Sequence, residues 1–280
     1  MPDDDRLALA VDLALEVGRR MSVWRADATV AWKAPGERVT DADLCAQAEL
    51  VRAIRTSFPS DGIIAEEGER AAGAGGRAFV WVIDPLDGTN NYAIGIPCFA
   101  ISIGILRDGL PWAGVVHDPN TGFTFRAGAG RGAWMGSRRL AVSARPLDVS
   151  SNVSFRVPID PSLEPVIAAW LRSYKLRAFG SVALHLAYAA LGAIELILDH
   201  KAALWDIAGG AAILLEAGGH VTDPLGRAIF PVDTARYEGA PIPFLAGNPS
   251  SHDLAVTACR RALWPRPTVD RASPGPAARG

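Results

Sequence analysis

Val80-Trp81-Val82-Ile83-Asp84-Pro85-Leu86-Asp87-Gly88-Thr89-Asn90 is the stretch on which the reading of this chain turns. Its first four residues are apolar enough for a buried strand, which delivers Asp84 and Asp87 where a core strand meets solvent. Three residues apart in a proline-stiffened turn, the two carboxylates can converge on one centre, with the Leu86 carbonyl between them as a third oxygen donor. Hard divalent cations take such an all-oxygen environment. Gly88 permits close approach of a ligand to the backbone, and Thr89-Asn90-Asn91 reads as the opening of a helix whose free N–H groups suit a phosphate. A tight turn whose aspartates merely cap the next segment is the ordinary reading of one Asp-Gly pair, but it leaves the rest of the string unexplained.

Two further acidic positions flank this motif. Ala65-Glu66-Glu67-Gly68 follows another short apolar run, and Trp205-Asp206 heads an apolar helix. Taken singly, the first is a solvated loop and the second an N-cap. Around them, helices are expected from Arg6 to Trp24 and from Thr40-Asp41 to Phe58, before Pro59. Strands are expected at 62–65, 78–83, 99–106, 112–117 and 123–126, the later ones antiparallel, with a glycine- and alanine-rich loop at 68–76. Beyond Arg145 the pattern alternates: helices near 162–173 and 182–191, a helix opening at Asp206 and closing at Gly218-Gly219, a last helix over 250–263, and strands near 176–179, 195–199 and 244–246. Mixed α/β layers follow, with a lobe boundary near Arg145. The Pro-, Arg-, Ala- and Gly-rich end has no apolar period and is expected to be disordered.

Composition excludes several function classes. The 280 residues carry a net charge of −2 with both signs dispersed, so a basic stripe for nucleic-acid backbones is missing. Three distant cysteines suggest neither a thiolate zinc site nor a disulfide framework. The acidic start and the lack of a bilayer-length apolar run lead to the expectation of a soluble, cytoplasmic protein. The five histidines show no motif spacing and read as surface or structural residues, and the chain has no G-x-S-x-G elbow for a nucleophilic serine.

In order and spacing the three acidic sites resemble the inositol monophosphatase family of lithium-sensitive phosphatases, a superfamily that also includes fructose-1,6-bisphosphatase. The run from Trp81 carries the first signature, a strand and then D-P-[IL]-D-G-T; Trp205-Asp206 through Glu216-Ala217-Gly218-Gly219 carries the second; Glu66-Glu67 stands at the family's third acidic position, and Lys33 and Thr40-Asp41 where it places polar residues near the metals. The resemblance implies a layered αβαβα sandwich of two intimately packed lobes. One catalytic domain would span 1–265: an N-terminal α+β lobe, 1–144, carrying most metal ligands, a C-terminal α/β lobe, 145–265, adding Asp206 and substrate contacts, and a tail, 266–280. Glu66, Asp84, Asp87, Asp206 and the Leu86 carbonyl would bind two or three Mg²⁺. Glu66, Thr89 and Asp84 would be catalytic, with Thr89 and Glu66 orienting the attacking water. Gly88, Thr89, Gly180, Ser181, Asp199 and Asp206 would contact substrate, a small phosphorylated polyol or sugar. Hydrolysis of myo-inositol monophosphate leads the expected activities. Fructose 1,6-bisphosphate, histidinol phosphate and 3'-phosphoadenosine esters stay open, as does a regulatory binding role on the same fold. Inhibition by Li⁺ and a homodimer are implied as well.

Overall fold

The apolar run preceding Asp84 is part of the second strand of a large sheet. The computed structural model describes residues 4–24, 29–34, 37–67 and 76–263; the tail expected over 266–280 and most of the loop expected over 68–76 lie outside them. Helices α1 (Asp4–Trp24) and α2 (Asp41–Ser57) flank an antiparallel pair, β1 (Val30–Ala34) and β2 (Glu37–Thr40). Strands β3 (Gly62–Ala65), β4 (Phe79–Asp87), β5 (Ala100–Arg107), β6 (Leu110–Asp118), β7 (Phe123–Gly128), β8 (Ala133–Met135) and β9 (Arg138–Arg139) then lie side by side in chain order, with helix α3 (Thr89–Ile94) between β4 and β5. β3 runs parallel to β4 and each later pair is antiparallel.

The second sheet is built from β10 (Asn152–Phe155), β11 (Lys175–Leu176), β12 (Leu196–Asp199), β13 (His220–Thr222) and β14 (Phe244–Gly247), in the spatial order β11-β10-β12-β14-β13. Its helices are α4 (Glu164–Ser173), α5 (Val182–Ala190), α6 (Leu204–Glu216) and α7 (Pro249–Leu263). Among the described residues no helix is long and apolar enough to cross a membrane.

Three apolar cores stack these elements into five layers. Alternate residues of β4 and β5, namely Trp81, Ile83, Ile101, Ile103 and Ile105, face one way and meet Ala14, Val17, Leu50 and Ile54 of α1 and α2. Val80, Val82 and Leu106 face the other way, into a core with Leu186 of α5 and Ile207, Ala211 and Leu214 of α6. That core also takes in Ile197, Phe244 and Ala246 of the smaller sheet, so α5 and α6 lie between two sheets. On its outer face, Phe155, Leu198 and Leu245 pack against Trp170 of α4 and Val256 of α7. The order is helix, sheet, helix, sheet, helix, the αβαβα sandwich expected.

Two features of this packing position the site. Regular alternation would throw Asp84 and Asp87, an odd number of residues apart, to opposite faces. The β4–β5 register slips between them instead, Asp84 pairing with Ser102 and Asp87 with Ala100, and this bulge lets both carboxylates serve one centre. Second, α6 lies against the sheet at Gly104, where a Cβ would come within 2.5 Å of the Ala208 Cβ and 2.8 Å of helix backbone. The absent side chain sets how closely Asp206, in the first turn of α6, approaches β4.

Some expected elements differ. The strand expected over 176–179 stops at Leu176, because the Phe179 carbonyl instead accepts a hydrogen bond from Asn91 Nδ2, at 2.6 Å. The helix expected to open at Asp206 begins at Leu204, and Asp206 is its third residue rather than its cap. The hairpin β1–β2 and strands β8, β9, β10 and β13 have no counterpart in the sequence pattern.

Candidate active site

Asp84, Asp87 and Asp206 offer carboxylate oxygens within 4.8 Å of one another, uniting the end of β4 with the start of α6. Each side chain is fixed by backbone donors. The Leu86 amide donates to Asp84 Oδ1 at 2.9 Å, and the Ala203 amide to Asp206 Oδ2 at 2.7 Å. Asp87 Oδ2 accepts from the Ala183 amide and from the Ser181 hydroxyl, both at 2.6 Å, which ties the β4 turn to the start of α5.

Bringing these groups together raises the energy of their charged forms. Burial, reinforced by the charges of Glu66, Asp87 and Asp206, holds Asp84 well above the usual carboxylate range. Asp206 is raised likewise, by loss of solvent and then by Asp87 and Glu66. Burial lifts Asp87 to about 6, against the pull of its Ser181 and Ala183 hydrogen bonds. Mutually repelling, buried, oxygen-only groups beside a backbone carbonyl are the donor set that suits hard divalent cations. Glu66, whose charge acts on all three aspartates, stands at the end of β3 and accepts from Lys33 Nζ at 3.0 Å. Lys33 also pairs with Glu67, which burial pushes up to about 7 despite that partner.

Thr89 stands over the same turn. Its hydroxyl lies 3.0 Å from the Leu86 carbonyl oxygen and 2.9 Å from Asp43 Oδ1. Asp43 is wholly buried; its other oxygen accepts from the Thr40 amide at 2.7 Å and the Thr40 hydroxyl at 2.5 Å. The sequence pattern points to Thr40-Asp41 and not to Asp43. Asp41 is exposed and takes the Thr29 amide, so the acidic group near the cluster on this segment is Asp43. The signal was present as a threonine followed three residues later by an acid at a helix start, a spacing that aims the acid back at the cap.

Lys33, Glu66, Asp84, Asp87, Thr89 and Asp206 line a cleft of about 820 Å³. Gly88 borders it with φ 103°, where a Cβ would stand 2.9 Å from the Cys98 carbonyl oxygen; any side chain would be strained there twice over. Gly180, Ser181 and Asp199 also border the cleft. The Ser181 hydroxyl is committed to Asp87. Asp199 Oδ1 accepts from the Lys201 and Ala202 amides at 2.8 and 2.9 Å, and Oδ2 lies 3.4 Å from Arg156. Arg156, which no sequence pattern singles out, adds a cation to the cleft lining, beside Asp199.

Comparison with known proteins agrees with this geometry. The model of the inositol monophosphatase family matches residues 3–261. The fructose-1,6-bisphosphatase/inositol-1-monophosphatase of Thermotoga maritima is 34% identical over 231 residues, 80% of this chain and 86% of that protein. The Nus factor SuhB of Pseudomonas aeruginosa is 35% identical over 201 residues, 69% of this chain and 74% of its own length. Among solved structures, a Thermotoga maritima IMPase superposes with a TM-score of 0.81 at 30% identity, covering 92% of this chain and 98% of that one. The extragenic suppressor protein suhB of Bartonella henselae gives 0.80 at 29% identity, covering 93% and 99%. With the acidic cluster and the matched fold in agreement, the chain belongs to the inositol monophosphatase family and is a phosphoric monoester hydrolase.

Proposed function

We propose that the chain hydrolyses a small phosphorylated polyol, myo-inositol monophosphate first among them, with two or three Mg²⁺ held by Glu66, Asp84, Asp87, Asp206 and the Leu86 carbonyl. The observation that carries this reading is the convergence of Asp84, Asp87 and Asp206 within 4.8 Å, next to the Thr89–Asp43 pair. When bound, the cations neutralise the carboxylates, attract the phosphate dianion and polarise both it and the attacking water.

The chain's own groups do the positioning. Thr89 has one hydroxyl proton; directed to Asp43, it leaves the oxygen free to accept from water and to orient it toward phosphorus. Glu66 holds that water from the β3 side, and Lys33 restrains Glu66. The Gly88 and Thr89 amides hold phosphate oxygens at the start of α3. Ser181 acts through Asp87, by fixing its carboxylate. Gly180, Asp199 and Asp206 face the alcohol portion of the ester.

The test is phosphate release from a panel of esters with and without Mg²⁺. Inositol monophosphate should be hydrolysed only with the cation, and Asp87→Asn should bring release to background with the fold retained by circular dichroism. Turnover surviving in Asp87→Asn would sink the cluster assignment. Arg156 favours extending the panel to a second anionic group on the substrate, such as the second phosphate of fructose 1,6-bisphosphate. The name of the Pseudomonas aeruginosa relative, Nus factor SuhB, favours a second reading, a regulatory binding role on the same fold. Absence of turnover on every ester would promote that reading.

A further inference from the structure

A second cluster of metal-ligating side chains lies on the outer sheet, and none of its members borders the cleft. His220 and Thr222 are two residues apart on β13 and so share one face. His252 and Asp253 come from α7. His220, His252 and Asp253 offer ligand atoms within 4.8 Å of one another, and the two imidazoles meet edge to face with centroids 5.3 Å apart.

Hydrogen bonding fixes which nitrogen of His252 is available. The Thr222 hydroxyl lies 2.8 Å from the Asp223 carbonyl oxygen and 2.8 Å from His252 Nε2, so Nε2 is the engaged nitrogen of the ring. In the tautomer with its proton on Nε2, Nδ1 presents a lone pair. It is buried, in a residue only 4% exposed, and has no hydrogen-bond partner among the described residues. The Asp253 carboxylate oxygen Oδ1 lies 3.6 Å away, in that tautomer an electron-rich atom facing another. Such a pair is stabilised by a cation between its members.

We propose that His220 and His252 Nδ1, with the Asp253 carboxylate, bind Zn²⁺ or a similar borderline divalent ion, pinning the start of α7 to β13. Two imidazoles and a carboxylate make a three-ligand set that leaves one position for water. Thr222 orients the ring from the far side, the usual office of a group that holds the second nitrogen of a metal-bound histidine. His220 and Asp253 are exposed, while the buried His252 supplies the fixed point.

The experiment is equilibrium dialysis of the full chain against Zn²⁺ in saturating Mg²⁺, run on wild type, His220→Ala, Asp253→Asn and Thr222→Val, and repeated in the Asp87→Asn background to separate any Zn²⁺ held in the cleft. Wild type and Asp87→Asn should both retain a Zn²⁺ that His220→Ala and Asp253→Asn lose, and Thr222→Val should weaken it by about 10–100-fold. Mg²⁺-dependent phosphate release should be the same in His220→Ala as in wild type. Equal Zn²⁺ binding by wild type and His220→Ala, or loss of the ion in Asp87→Asn alone, would overturn the proposal. His220 and Asp253 are surface residues, so these variants test it even if changes at His252 unfold the chain.

Discussion

The Thr89–Asp43 pair shows how much of the proposed chemistry rests on one hydrogen bond. A threonine hydroxyl is a weak base in water; with its proton directed to a buried carboxylate 2.9 Å away, its oxygen becomes the better acceptor for the attacking water. Asp43→Asn should lower kcat by about 10²–10⁴-fold, with KM for the ester little changed, because the substitution alters proton positioning rather than phosphate contact. Thr89→Ser should keep most of the activity and Thr89→Val lose it, measured as steady-state phosphate release at saturating Mg²⁺. A KM effect without a kcat effect in Asp43→Asn would assign the residue to binding. Asp43 also illustrates the limit of the sequence at this scale. Asp84 and Asp87 announce themselves because they stand three residues apart in one short motif, whereas Asp43 meets Thr89 across 46 positions and is one of several acids on an amphipathic helix. Arg156 was hidden in the same way, since nothing next to it in sequence marks the cleft wall.

Elements were legible in proportion to their length and periodicity. Helices α1, α2, α5, α6 and α7 repeat apolar residues over two or more turns, and β4 to β7 are long enough for composition to separate them from loops. β9 and β11 have two residues each, and β8 and β13 three, too few for any period; they are strands because a neighbour supplies the ladder. Nor could local pattern show that α6 would lie against β5 and β6, a consequence of absent side chains. Gly104→Ala should therefore act through an entire element. The new methyl group would push α6 off the sheet, since contacts of 2.5 and 2.8 Å involve the Ala208 Cβ and helix backbone rather than a flexible side-chain end. The expected loss of stability is about 1–3 kcal/mol by denaturant unfolding. Displacement of Asp206 should also raise the Mg²⁺ concentration needed for half-maximal activity. A stability loss with an unchanged Mg²⁺ requirement would mean that α6 recovers its register over the first turn.

For the molecule as a whole, the acidic cluster links stability to both pH and cation. Asp87 stands at about 6 in the folded chain against an ordinary 3.8, and Asp84 and Asp206 are raised as well. A raised pKa means the folded state holds its proton more tightly than the unfolded state. The associated stability is fully present below about pH 3.8 and is lost as pH rises through 6 for Asp87, and through the elevated values of its neighbours. His185 works in the opposite sense: burial lowers it from 6.5 to about 4, and the Phe179 amide donates to its Nε2, so its contribution is present above 6.5 and lost as pH falls through 4. A simple pH–stability curve would mix the two. Comparing melting temperatures with Mg²⁺ and with EDTA at each pH separates them, because the His185 ring is held by Phe179 and not by the cluster, and its effect cancels in the difference. Mg²⁺ binds the ionised carboxylates and displaces the protons they retain in its absence, so at lower pH part of its binding energy goes into removing those protons. Stabilisation by Mg²⁺ should accordingly grow from pH 5.5 to pH 8, by about 2 °C or more for each pH unit over which a proton is displaced. Asp87→Asn, which removes one of the titrating groups, should flatten that slope. A Mg²⁺ stabilisation independent of pH in the wild-type chain would show that the ion binds without displacing protons from the cluster, and that the crowding of Asp84, Asp87 and Asp206 is relieved in some other way.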